Sequence, residues 1–214
     1  MESGSFKPRA IETMQSMLEF EIQATQEGFQ AIAGVDEAGR GPLAGPVTAA
    51  AVILPDGVDL EGVNDSKKLT IAQREKFFAL IQEKAIAYGI GTVGVDEIDS
   101  INILQATRLA MKLAVKGLSK SPDLLLIDGN QGIEFESVQW KLVKGDTRSL
   151  SIASASILAK VTRDRIMADY HRQYPQYGFD RHKGYGTELH RQQIERWGPC
   201  AIHRKTFKGV KEFL

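Results

Sequence analysis

An α/β domain built on a mixed sheet is what this 214-residue chain predicts, on three observations. Two apolar runs, at 31–36 and 47–54, lie close together and read as an antiparallel pair of strands. Further apolar runs then alternate with segments of helical period, the arrangement that sets helices against a sheet. From Ser151 onward the pattern is helical, so helices close the chain. No internal repeat or low-complexity linker interrupts it, and no domain boundary falls before the C-terminal quarter.

Residues 1–28 read as an N-terminal helical arm, with Ile11, Met14, Met17, Leu18 and Ile22 at roughly helical spacing. A domain spanning 29–214 follows. Its second strand run ends at the turn Pro55-Asp56-Gly57. Thr70 is placed to cap a helix through about Ala87, with Phe77, Leu80, Ile81 and Ile86 directed inward. Residues 90–95 read as a third strand, and 96–118 as a helix broken near Ser100. The fully apolar 124–127 is a buried strand, and 138–143 is a fifth. Helices then run from Ser151 to about Gln173 and from Thr187 to Trp197.

Composition narrows the function classes. Charged residues make up 25% and hydrophobic ones 43%, as in globular proteins, and no apolar run reaches transmembrane length. The start MESGSFKPRAIETM has no apolar secretory core, and a single cysteine, Cys200, cannot form an internal disulfide, so a cytoplasmic protein is expected. The net charge of zero hides an asymmetry: residues 160–214 hold 12 Lys and Arg against 6 Asp and Glu, and all four histidines. An acidic body with a basic tail region suits a polyanion-binding enzyme with carboxylate-held metal; an uneven helical surface is the plainer reading.

Three predicted strands end in carboxylates. In Gly34-Val35-Asp36-Glu37-Ala38-Gly39-Arg40-Gly41-Pro42, two adjacent acids run into a Gly-Arg-Gly turn. Asp128 follows Leu124-Leu125-Leu126-Ile127, and Asp146 follows Val143-Lys144-Gly145. Strand-end acids supply hard oxygen ligands for cations such as Mg²⁺, although each taken alone also reads as an ordinary turn. Alternation along a strand points Asp36 and Glu37 apart unless the strand end is twisted. Small residues from Ser151 to Ala159, Ser154 among them, permit close packing or phosphate approach at a helix N-terminus. Lys67 and Lys68, in Asp65-Ser66-Lys67-Lys68, form a solvated loop or a phosphate clamp. Tyr185, between glycines in His182-Lys183-Gly184-Tyr185-Gly186-Thr187, is either a stacking residue or a core tyrosine. The histidines have no zinc-ligand spacing, and Cys200 has no evident activating partner. There is no Walker loop, no G-x-S-x-G and no G-x-G-x-x-G after a strand.

Taken in order, GVDEAGRGPLAGPV, NDSKKL, LLLIDGN, VKGD, ASASILAKVTRDR and HKGYGT resemble bacterial ribonuclease HII, the type 2 ribonuclease H. The resemblance runs from about Ala31 to Phe207 and leaves 1–28 outside, as a possible remnant of an N-terminal extension. It implies a ribonuclease H-like fold, a central mixed β-sheet flanked by helices with a helical C-terminal region. It further implies cleavage of RNA paired to DNA, including a lone ribonucleotide in duplex DNA. The family's four metal-binding acids map onto Asp36, Glu37, Asp128 and Asp146. Its 2′-hydroxyl-reading motif maps onto Gly39, Arg40 and Gly41, and its junction-sensing tyrosine onto Tyr185. The implied cofactor is Mg²⁺ or Mn²⁺, two ions in the substrate complex; the implied partners are hybrids and ribonucleotide-containing duplexes. The balanced composition allows a monomer, and with no run of transmembrane length no membrane contact is expected. Lys67, Lys68 and Ser154 are added as substrate-binding candidates. Four clustered carboxylates also predict that at least one has a raised pKa. The competing readings are a non-cleaving hybrid-binding module and a metal-dependent phosphoesterase of other specificity.

Overall fold

The computed structural model describes residues 17–63, 66 and 69–214. Ile11 and Met14 of the expected arm, and Lys67 and Lys68, lie outside the described residues. The sheet order is β3-β2-β1-β4-β5. β1 (Ile32–Ala38) and β2 (Val47–Ile53) pair antiparallel, as the sequence predicts, and β3 (Ala87–Val93) continues that meander. β4 (Leu124–Asp128) adds to the other side of β1 in parallel, and β5 (Val138–Leu142) adds in parallel to β4.

The central strands are apolar on both faces because helices cover both. Val35, Ala49, Ala51, Leu125 and Ile127 pack with Ala106, Ala110 and Ala114 of one helix, Val95–Lys116. On the opposite face, Ala50 and Val52 pack with Ala153 and Ile157 of the long helix Leu150–Gln173, while Leu124 and Leu126 pack with Ile152. In chain order the α-helices are α1 (Glu19–Gln26), α2 (Ile71–Lys84), α3 (Val95–Lys116), α4 (Leu150–Gln173), α5 (Phe179–His182) and α6 (Glu188–Trp197).

Several boundaries differ from the sequence reading. Thr70 does cap α2: its hydroxyl accepts from Gln73 N–H at 3.2 Å, and the Gln73 side chain accepts from Thr70 N–H at 2.8 Å. The helix stops at Lys84, however, and Ile86, expected inside, is 47% exposed as the chain turns into β3. The break in α3 falls at Asn102, not Ser100. Asn102 has φ 66°, and its side-chain oxygen accepts from the N–H groups of Leu104 and Gln105, so it caps the second half of the helix.

The segment from Met17 onward is built into the domain. Met17 is buried, and its carbonyl accepts the Leu150 N–H at 2.7 Å. Glu21 Oε1 accepts from Ser151 N–H at 3.0 Å and from the hydroxyls of Ser149 and Ser151 at 2.7 Å each. A carboxylate at the first turn of α4 satisfies amides that have no partner within the helix and complements its dipole. Residues beyond the expected domain start thus finish the helix that lies over β1. Among the described residues, no helix is long and apolar enough to cross a membrane.

Candidate active site

Parallel pairing of β1 with β4 sets the site. Val35 lies beside Ile127 in the register, so the next residues along, Asp36 and Asp128, stand at neighbouring strand ends. Gly34 and Leu126 face α4, and the two-residue period puts Asp36 and Asp128 on that same face. Gly145 N–H donates to Asp128 Oδ1 at 2.7 Å, which ties the turn Gly145–Thr147, with buried Asp146, to the end of β4. Glu37 accepts from Arg40 Nη1 at 3.2 Å. Sheet topology thereby brings Asp36, Glu37, Asp128 and Asp146 to one edge.

Burial, more than repulsion, disfavours charge here. It is the largest influence raising the Asp36 carboxyl well above the usual carboxylate range, followed by the charges of Glu37 and Asp128. Hydrogen bonds from Ser156 and the Glu37 amide oppose the rise. Glu37 is also raised, again chiefly by burial, with Arg40 opposing. The expected raised carboxyl is present, but burial contributes more to it than the mutual repulsion from which it was expected.

An all-oxygen donor set, partly withdrawn from water and mutually repelling, suits a hard divalent cation. Among the described residues, no group of three His, Cys, Asp or Glu side chains is assembled to hold a metal as it stands. Glu37 and Asp128 are engaged with Arg40 and the Gly145 amide, partners that a cation would displace.

Beside the acids, residues 39–41 leave β1 as a turn that meets the loop carrying Tyr185. A Cβ on Gly41 would lie 3.8 Å from the Tyr185 ring. Tyr185 is 44% exposed, so the ring forms part of the surface and is not a core tyrosine. The Arg40 side chain is 52% exposed on the same approach.

Three histidines separated in sequence, His182, His190 and His203, meet behind Tyr185. Cys200 N–H donates to His203 Nδ1 at 2.9 Å, so His203 carries its proton on Nε2 and donates to His190 Nε2 at 3.0 Å. His190 is therefore protonated on Nδ1, which donates to the Tyr185 carbonyl at 3.0 Å. Gly184 N–H donates to His182 Nδ1 at 3.2 Å, leaving Nε2–H for the Tyr177 carbonyl at 2.7 Å. Each ring works as a neutral imidazole. Burial, then the neighbouring His182, lowers His190 to about 3; burial foremost lowers His203 to about 4. Cys200 Sγ lies 3.2 Å from His203 Nδ1, but burial raises its pKa, so it remains a packed thiol.

Ser154 needs correction. It is fully buried and donates to the Leu150 carbonyl at 2.8 Å, so it has no access to a substrate. The serine of α4 that reaches the acids is Ser156, which bonds Asp36 and lies 2.9 Å from the Ser66 hydroxyl. Ser66 is the described residue of the segment 64–68, and Arg74 donates to its carbonyl at 2.9 Å. Sequence reading passed over Ser156, Ser66 and Glu21; a helical wheel for α4 separates Ser154 from Ser156, but nothing local pairs Ser156 with residue 36.

The architecture is shared with solved ribonucleases H. The crystal structure of the ribonuclease H2 from Pyrococcus horikoshii OT3 superposes with a TM-score of 0.72 at 27% identity, covering 86% of this chain and 97% of that one. A structure of Bst-RNase HIII in complex with Mn²⁺ has the same fold, with a TM-score of 0.67 at 18% identity over 99% of this chain and 74% of that one. Fold and site together define a ribonuclease H, an endonuclease that hydrolyses phosphodiester bonds. The family model for ribonuclease HII matches residues 33–210. A ribonuclease HII of Geotalea uraniireducens is 58% identical over 199 residues, 93% of this chain and 92% of the relative. One from Ruminiclostridium cellulolyticum is 55% identical over 206 residues, 96% and 80% of the two chains. The chain belongs to the ribonuclease HII family.

Proposed function

We propose that the enzyme cuts the RNA strand of RNA–DNA hybrids and nicks duplex DNA on the 5′ side of single embedded ribonucleotides, leaving 5′-phosphate and 3′-hydroxyl ends. The observation that carries this reading is the meeting of the Gly39-Arg40-Gly41 turn with Tyr185, directly continuous with the acid-bearing end of β1. The 2′-hydroxyl is the mark that separates ribose from deoxyribose, and turn amides can hydrogen-bond it. A site built to bond a hydroxyl rejects its absence strongly. The Tyr185 ring, carried on a backbone whose carbonyl accepts from His190, stacks on the sugar that follows the cut and favours a deoxyribose there.

Asp36, Glu37, Asp128 and Asp146 would hold two Mg²⁺ or Mn²⁺ ions, which supply water activation and stabilisation of the leaving 3′-oxygen in an in-line displacement. Arg40, released from Glu37 when a cation binds, presents its exposed guanidinium to a phosphate. Lys67, Lys68 and the exposed basic residues after Lys160 grip the duplex backbone, so affinity falls steeply with salt. The setting is the cytoplasm, and the working unit is a monomer.

The test is a DNA duplex with one ribonucleotide, incubated with Mg²⁺, with Mn²⁺ and with chelator, and mapped to the nucleotide. A metal-dependent nick 5′ of the ribonucleotide is expected, and in Asp128→Asn it should slow by about 10³-fold, the several kcal/mol that metal-held charge stabilisation supplies. Cleavage of long hybrids with none at the single ribonucleotide would remove the roles given to residues 39–41 and Tyr185. Binding without turnover would favour the non-cleaving module, and hydrolysis of all-DNA duplexes the broader phosphoesterase.

For Tyr185 the ring matters more than its hydroxyl. Tyr185→Phe should retain kcat/KM within about threefold, and Tyr185→Ala should lose about tenfold or more, the worth of one stacking contact. Equal losses for the two variants would assign the effect to the phenolic oxygen.

A further inference from the structure

Among the described residues Arg163 and Arg204 are the largest fully buried side chains, at 1% and 0% exposure, and neither has a described carboxylate at ion-pair distance. Burying a guanidinium without a counter-charge is costly unless its donors are satisfied in another way. Here they are satisfied by carbonyls, nearly all from one loop. Arg204 donates from Nε to Gly45 O at 3.0 Å, from Nη1 to Arg40 O at 2.9 Å, and from Nη2 to Gly39 O and Pro46 O. Arg163 donates from Nε to Pro46 O at 2.9 Å, from Nη2 to Ala44 O at 3.1 Å, and from Nη1 to Lys183 O at 3.0 Å. That loop is the connection between β1 and β2, and its first three residues are Gly39, Arg40 and Gly41.

Peptide geometry turns these bonds into a statement about the opposite side of the turn. In a trans peptide the carbonyl of one residue and the N–H of the next point in opposite directions, and there is no cis peptide in the described chain. With the Gly39 and Arg40 carbonyls drawn inward onto Arg204, the Arg40 and Gly41 N–H groups are turned outward. Among the described residues neither amide donates to a protein acceptor. The Tyr185 ring, 3.8 Å from where a Cβ on Gly41 would stand, and the Arg40 side chain are both exposed beside the turn. Arg163 joins the two halves of this surface, since its Lys183 bond holds the segment leading into Tyr185, and its guanidinium lies 5.9 Å from that ring. The fit is close at Gly39, whose φ is +99° and where a Cβ would stand 2.1 Å from Arg163 Nε. Burial lowers both guanidinium pKa values, that of Arg204 to about 9; an arginine guanidinium keeps its proton at neutral pH. Two buried positive charges behind outward amides favour an oxygen in front of them.

We propose that Arg163 and Arg204 are positioning residues for ribose recognition: they hold the 39–41 turn from beneath so that its amides are aimed at the 2′-hydroxyl, and they set the preference for ribose over deoxyribose. This rests on the reading of the Gly-Arg-Gly turn given above. Lysine keeps the charge but lacks the planar fork that serves several diverging carbonyls at once, so Arg→Lys removes the aim while keeping the cation.

The test measures binding, in an Asp128→Asn background with Mg²⁺, to a duplex with one ribonucleotide and to the same duplex made wholly of DNA. Arg204→Lys and Arg163→Lys should each lower the ribose preference by about tenfold, the worth of one well-formed hydrogen bond, while affinity for the all-DNA duplex stays unchanged. Amide hydrogen exchange at Arg40 and Gly41 should rise in the same variants. If one variant loses its cooperative melting transition, the other must give the result alone. A preference and exchange rates equal to those of the parent, in a folded variant, would make the arginines packing residues only. An equal loss on both duplexes would overturn the proposal too, since it would mark general disruption of the surface. A parent that does not distinguish the two duplexes would instead bring down the reading of the turn itself, and this proposal with it.

Discussion

Asp36→Asn is expected to melt at a higher temperature than the parent at pH 7 in chelator, while losing cleavage by about 10³-fold or more. The folded state raises the Asp36 pKa, chiefly by burial, so it holds that proton more tightly than the unfolded chain does. Stability contributed by the protonated group is complete below the unfolded pKa of about 3.9 and is lost as pH climbs through the raised folded value. Asparagine is neutral throughout and escapes that loss. The gap in Tm should therefore be absent near pH 3 and widen toward neutrality, by about 2–4 °C for each kcal/mol relieved in a chain of this size. Calorimetry across that range checks it. A variant that melts lower than the parent at pH 7, or a gap independent of pH, would contradict the burial argument. Asp36 illustrates a site that holds acids where folding alone would not choose them.

Gly34→Ala is expected to cost about 3 kcal/mol or more of stability, although it adds one methyl group. A Cβ at residue 34 would lie 2.1 Å from the Ser151 carbonyl carbon, 2.3 Å from Ile152 N and 2.5 Å from Ser151 O. All three are backbone atoms, so no rotamer change relieves the clash, and α4 would have to lift from β1. Residual folded protein should also lose activity, because α4 carries Ser156 against Asp36, two residues along the strand. A denaturation midpoint like that of the parent would show that helix and strand separate more easily than their contact implies.

Much of this was legible in the sequence, for reasons that differ from place to place. β1, β2 and β4 are largely apolar runs bounded by turn residues, β1 and β4 ending in acids, and α2 begins with a capping box; such signals are local and strong. β3 was cut short at its start because the residues on its inner face are Ala87, Gly89, Gly91 and Val93, of which two glycines carry no hydrophobic signal. The acids could be picked out one by one as strand-end residues. That Asp36 and Asp128 are neighbours depends on a parallel pairing that no local pattern encodes. Ser154 was chosen over Ser156 because a stripe of small residues has no face until the helix is laid on its sheet. Arg163 and Arg204 read as surface cations, since buried arginines are rare and their partners here are main-chain carbonyls, which sequence does not distinguish. The histidine trio is hidden for the same reason, its members being joined through loops.

The pairing of β1 with β4 has a bearing on how the protein is made. The two acids it unites are about 90 residues apart along the chain, and the loop that must close between them contains β2, β3, α2 and α3. During synthesis at roughly 5–20 residues per second, the stretch carrying Asp36 and Glu37 leaves the ribosome several seconds before Asp128 and Asp146 exist. A nascent or truncated chain thus holds half of its acids and none of α4. The four acids can stand together only when the sheet is joined across its middle, so a nascent chain has no assembled site until β4 has paired with β1.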